Sequence, residues 1–138
     1  HPDRYAGYTI RQLCQEMHDF YKARNVKDLQ KKLFRRQYFP EYAMNAQDAQ
    51  YAFIRGQGEL VPLDEIEGRI ALEGALPYPP GVLCVVPGER WSHTAVQYFK
   101  ALEDGLNELP GFASEIQGVY LEKEDAGRIH AYGYVLKE

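Results

Sequence analysis

Four of the eight prolines in this chain fall between Ala75 and Glu89, in a stretch that is otherwise mostly apolar. Proline fixes φ and removes a backbone donor, so this stretch can be neither a continuous helix nor a central strand. Yet Leu76, Tyr78, Val82, Leu83, Val85 and Val86 gain by leaving water. A stiff, non-repetitive backbone held at a core is suited to placing something: a channel, a neighbouring domain or a subunit contact. The flanking apolar residues predict that Pro77-Tyr78-Pro79-Pro80 is buried rather than displayed as a proline-rich ligand. Gly81 lets the backbone turn between two rigid sections, and Tyr78 offers a ring with a polar tip.

The rest of the chain is regular enough to assign. Thr9 begins a helix as the cap of a Thr-x-x-Gln box with Gln12. Ile10, Leu13, Met17, Phe20 and Tyr21 then recur at helical spacing on one face. Asn25 interrupts, and a second helix over 26–37 turns Val26, Leu29, Leu33 and Phe34 inward before Pro40. A third, 45–55, is capped by Asn45, packs Ala49, Ala52 and Phe53, and stops at Gly56 and Gly58. The period then changes. Residues 60–63 and 69–76 read as short extended segments, and 82–86 as a buried strand. Ser92 caps a fourth helix with Ala95, Val96, Phe99, Leu102 and Leu106 facing in. Residues 117–122 and 128–137 flank Glu124-Asp125-Ala126-Gly127, a hairpin signal. The fold class is α+β: N-terminal helices, then a small antiparallel or mixed sheet with one intervening helix and a C-terminal β-hairpin.

At 138 residues and 45% apolar content the chain is large enough to bury a real core. No run approaches ~18 apolar residues, so no membrane partner is expected, and no leader of the signal-peptide type opens the sequence. Two cysteines, Cys14 and Cys84, make no disulfide framework, and a reducing cytoplasm is the expected setting. Charge is uneven: residues 1–57 hold ten Lys/Arg against six Asp/Glu, and residues 58–138 hold six against fourteen. Nucleic acid is therefore a poor partner for the whole. Seven basic residues between Lys22 and Arg36, with Asp28 alone against them, read as the charged outside of two amphipathic helices.

Few groups point to chemistry. Cys14 and His18 share a helix face, but no further metal ligand joins them; a small core thiol beside a boundary histidine is the expectation. Cys84 sits in an apolar run as inert packing, and His130 in the last strand suits a surface or cross-strand role. Asp64, Glu65, Glu67 and Glu73 crowd one stretch; paired carboxylates serve glycoside hydrolysis, although four acids in a short polar turn make a solvated rim.

The order of the pieces carries a resemblance. The residues are Tyr8-Thr9-Ile10-Arg11-Gln12-Leu13, Gly68-Arg69-Ile70, Leu76 to Val82, Pro87-Gly88-Glu89, Leu109-Pro110-Gly111-Phe112, Glu115 to Tyr120 and Tyr132 to Lys137. In order and spacing the chain resembles, over nearly its whole length, the C-terminal domain of the bacterial ornithine/lysine/arginine decarboxylases. These are large pyridoxal-phosphate-dependent enzymes. Leu83-Cys84-Val85 and Pro110-Gly111-Phe112-Ala113 are most similar to the inducible ornithine branch.

The resemblance implies that residues 1–138 are a single domain cut from a longer chain, as a start at His1-Pro2 without methionine also suggests. It implies that the full chain converts ornithine to putrescine and carbon dioxide. The cofactor would belong to an earlier, larger domain, with no catalytic, cofactor or metal residue here. The family's Schiff-base lysine follows Ser-x-His, whereas Ser92-His93 is followed here by Thr94 and Ala95. Expected partners are the N-terminal and cofactor domains of the same chain, a homo-oligomer and a nucleotide effector without assigned residues. Pro77, Tyr78, Pro79, Pro80, Gly81, Pro87, Gly88 and Glu89 are candidates for the channel and interface surface. Asp64, Glu65 and Glu67, with Glu89, are candidates for an acidic entrance that concentrates a dicationic substrate. The rival reading is an independent small-molecule-binding or regulatory α+β module, and a small hydrolase built on the acidic cluster comes third.

Overall fold

The computed structural model describes residues 1–112 and 114–138; Ala113, one of the residues marking the ornithine branch, lies outside the described residues. The chain is α+β. Helices α1 (Pro2–Tyr5), α2 (Ile10–Ala23), α3 (Val26–Leu33) and α4 (Ala46–Ile54) come first, and α5 (His93–Glu108) stands among the strands. Every strand pair is antiparallel. β1 (Glu41–Tyr42) pairs with β4 (Glu89–Arg90), β3 (Leu76–Tyr78) with β5 (Glu115–Gln117), and β2 (Gly58–Pro62) lies beside β7 (Ile129–Leu136), which pairs in turn with β6 (Tyr120–Lys123).

Local chemistry sets the helix ends. The Thr9 hydroxyl accepts from the Gln12 amide while the Gln12 side chain accepts from the Thr9 amide, the full capping box. Asn25 adopts φ 52° and breaks α2 from α3, a conformation that asparagine tolerates better than most residues. Asn45 and Ser92 each accept a backbone N–H three residues on, at Asp48 and Ala95. The closing hairpin turns at Glu124–Gly127, where the Glu124 carbonyl accepts from Gly127 and Gly127 takes φ 85°.

The core forms where α5 crosses β7. Ala131, Gly133 and Val135 alternate toward α5, and Trp91 meets Phe99 edge-to-face with centroids 5.3 Å apart. Two side chains of α5 bond the strand's backbone. The buried Glu103 carboxylate accepts from the Ala131 amide at 2.9 Å. The Asn107 amide group accepts from Ile129 N–H at 2.8 Å and donates to its carbonyl at 2.9 Å. On the other face of β7, Tyr134 packs on Phe53 of α4 at 5.0 Å, so the three-stranded sheet lies between two helices.

Several expectations are corrected. The second helix ends at Leu33, and Arg36–Tyr38 continue as a single 3₁₀ turn before Pro40, leaving Phe34 exposed. Ile10 is exposed as well, because α2 buries its C-terminal half, where Phe20 and Tyr21 pack. Residues 82–86 form no strand; a lone bridge joins Val85 to Ala75, and Val82, Leu83 and Val86 are exposed. Pro79 and Pro80 lie in water rather than in the core. Cys14 is exposed, not a core thiol.

Candidate functional site

The proline stretch is a loop with a narrow neck. At its base the Ala75 amide donates to the Val85 carbonyl at 3.0 Å, and the Cys84 amide returns a bond to the Ala75 carbonyl at 2.9 Å. One flank is pinned by β3, where Pro77 stands opposite Ile116 and needs no donor at that edge. The Gly81 amide closes the tip on the Pro77 carbonyl at 2.9 Å. Pro77 is buried, whereas Tyr78 keeps 54% of its surface and Pro79, Pro80 and Gly81 project outward. Beneath them Cys84 is buried, and desolvation pushes its thiol up to about 11, which keeps it unreactive.

Pro87, Gly88 and Glu89 lie elsewhere, in a seam between the loop base and β1. The Gly88 carbonyl accepts from both Ala43 and Met44 at 3.0 Å. A Cβ on Gly88 would meet the Met44 carbonyl oxygen at 2.2 Å, and φ there is 91°, so only glycine fits. The Glu89 carboxylate accepts from the Val86 amide at 2.9 Å, which fixes the turn from loop to strand. The predicted surface thus divides into a projecting tip, Tyr78 to Gly81, and a packed seam, Pro87 to Glu89.

β1 adds residues that periodicity did not single out. Its register sets Tyr42 opposite Glu89, and Tyr42 is 70% exposed. Val86, Leu83 and Tyr78 are exposed as well, and Glu89 links Tyr42, opposite it in register, to Val86, whose amide donates to its carboxylate. The signal available in the sequence was Pro40, which holds the preceding Phe39 extended two residues before Tyr42 is reached. An open cavity of about 850 Å³ lies between α4 and the base of the loop, lined by Gln47, Gln50, Phe53, Leu72, Leu76 and Pro87.

The acidic residues are spread and mostly partnered. Asp64 accepts from Lys100, and this bond raises the lysine's pKa. Glu67 lies 2.9 Å from His93 Nδ1, and Glu73 accepts from the Tyr120 hydroxyl at 2.8 Å, pushing that phenol up to about 12. Glu65 is exposed. His130 Nε2 lies 3.2 Å from Glu124, near the tip of its own hairpin. Among the described residues no group of three His, Cys, Asp or Glu is placed to hold a metal ion.

Nor do the lysines suit a pyridoxal Schiff base, which needs a desolvated amine of lowered pKa. Lys22, Lys27, Lys31, Lys123 and Lys137 are exposed, and Lys32 and Lys100 are raised by Asp28 and Asp64. Tyr42, Tyr78, Leu83 and Val86 all face water in the domain.

The comparisons with known proteins give the family. A family model described as "Orn/Lys/Arg decarboxylase, C-terminal domain" matches residues 27–137. This chain belongs to that family. The domain is 69% identical over 136 residues to an ornithine decarboxylase of Haemophilus influenzae and 63% identical over 137 residues to the inducible ornithine decarboxylase of Escherichia coli. Each match covers 99% of this chain and 19% of the relative, so the chain spans about a fifth of their length. Among solved structures, lysine decarboxylase A from Pseudomonas aeruginosa superposes with a TM-score of 0.86 at 31% identity, over 97% of this chain and 18% of that one. No helix among the described residues of the domain is long and apolar enough to cross a membrane.

Proposed function

We propose that residues 1–138 act as one domain that completes a cytoplasmic ornithine decarboxylase and are chemically silent without the rest of it. The observation that carries this reading is the gradient of similarity. Ornithine decarboxylases match at 61–69% identity, whereas lysine decarboxylases match at 29–34%. In this reading the preceding domains hold pyridoxal phosphate and its lysine, and convert ornithine to putrescine and carbon dioxide. The tip Tyr78 to Gly81 and the seam Pro87 to Glu89 support the contact with the cofactor domain and the approach to its site. A homo-oligomer and a nucleotide effector without assigned residues complete the partners in this reading.

Asp64, Glu65 and Glu67 form the acidic rim of that approach, with Lys100 donating to Asp64 and Glu67 lying beside His93. An ornithine dication is drawn to such a rim through screened Coulomb attraction, so its effect fades as salt rises. The test is steady-state decarboxylation by the complete chain. Replacing Pro79 and Pro80 with alanine lowers activity and loosens the assembly. Unchanged kcat/KM and unchanged oligomer stability would remove the tip from the contact. Neutralising Asp64, Glu65 and Glu67 together lowers kcat/KM at low salt and flattens its salt dependence; an unaltered salt profile would move the entrance elsewhere.

A further inference from the structure

The segment between α3 and α4 has no role in the fold that accounts for its composition. It reads Phe34-Arg35-Arg36-Gln37-Tyr38-Phe39-Pro40-Glu41-Tyr42, aromatic and arginine-rich. These are the residue types that interface cores gather, and they carry most of the energy where they are covered. In the domain Tyr38 is half-buried with Lys32 over its ring, but Phe34 and Phe39 keep about half of their surface, and Arg35 and Arg36 are exposed beside them. Its last two residues form β1, which pairs with β4 on one side and leaves its other edge open. An open edge and large exposed aromatics together are costly to leave in water.

We infer that this strap is a second docking strip, and that its occupant is the preceding part of the same polypeptide. The inference rests on the reading above and extends its surface. Two observations select the occupant. About four fifths of the relatives' length lies outside this chain, and the matching family is named for the C-terminal position, so a tethered partner is present in every molecule. Tethering supplies an effective concentration that a second copy lacks. The strap is also continuous with the proline edge, since Tyr42 stands opposite Glu89 in register and Glu89 is bonded to Val86. The matching surface is apolar, with carboxylates facing Arg35 and Arg36.

Hydroxyl-radical footprinting of the complete decarboxylase chain tests this directly. Phe39 and Tyr42 are expected to lose reactivity to the level of buried Phe99, together with Tyr78. Protection of Tyr78 with full reactivity at Phe39 and Tyr42 overturns the strap and leaves the domain's assigned function standing. Full reactivity at all three overturns both. Protection of the strap that vanishes on dilution to single subunits assigns the site to a second copy and overturns the same-chain occupant. Tyr42→Asp in the complete chain should lower Tm and restore reactivity at Phe39, while Tyr42→Phe leaves both unchanged. Tyr42 is 70% exposed in the domain itself, so a fall in Tm reports lost docking rather than a damaged core. An unmoved Tm and footprint in Tyr42→Asp overturns the inference.

Discussion

Helix α5 and the loop from Leu76 to Val86 both carry large apolar side chains, yet these end in opposite surroundings. Phe99 on α5 has no exposed surface, whereas Tyr78 on the loop keeps 54% of its own. Both segments carry enough apolar area to favour burial. They differ in backbone. The helix satisfies its own polar groups and can present one face to β7. The loop, with prolines at 77, 79 and 80, closes on itself at Ala75 and Val85 and cannot enter a sheet beyond β3. An apolar segment that cannot pair is either expelled to the surface or kept there for a partner. The tight neck and the Gly81 turn give this loop a defined shape, which the second alternative, proposed above, requires.

The contrast can be broken most severely at Phe99. Phe99→Ala should cost about 3–5 kcal/mol of domain stability, read from urea unfolding followed by the fluorescence of Trp91, the sole tryptophan. Glu103→Ala leaves the buried Ala131 amide without its acceptor and should cost about 1–3 kcal/mol in the same assay. A cost near zero would mean that the α5–β7 tie is ornamental.

The thiols sharpen the contrast by pH. Cys84 titrates at about 11 in the folded chain against 9.0 for a free thiol, so between those values the folded state holds the extra proton. Its contribution is complete below about pH 9 and is lost as pH rises toward 11, and Cys84→Ala should remove that slope. Cys14, being exposed, should be alkylated at neutral pH long before Cys84. Equal labelling rates would show that the loop base opens freely. The smallest effect is expected at the loop tip. Pro79→Ala with Pro80→Ala should leave the domain's own unfolding within about 0.5 kcal/mol, since both side chains are in water, even where the complete enzyme loses activity.

Much of the fold could be read along the chain because its causes are local. The Thr9–Gln12 box, the Asn45 and Ser92 caps and the Gly127 turn each rest on neighbours within four residues, and each stands where the spacing put it. Failures came where the deciding contact is distant. Ile10 and Phe34 satisfy helical periodicity, yet both are exposed, and periodicity says which face is apolar without saying what covers it. Val82 to Val86 looked like a strand because it is apolar and β-branched, but among the described residues its pairing stops at the single Val85–Ala75 bridge.

The candidate surface divides in the same way. Prolines at fixed positions made a stiff element certain from residue identity alone, since the pyrrolidine ring constrains φ whatever surrounds it. Whether that element lay inside or outside, and that Tyr42 would stand beside Glu89 from 47 positions away, followed only once β1 met β4. Conformational limits belong to each residue and are written in the chain. Exposure is a property of pairs of segments, and only folding brings those segments together.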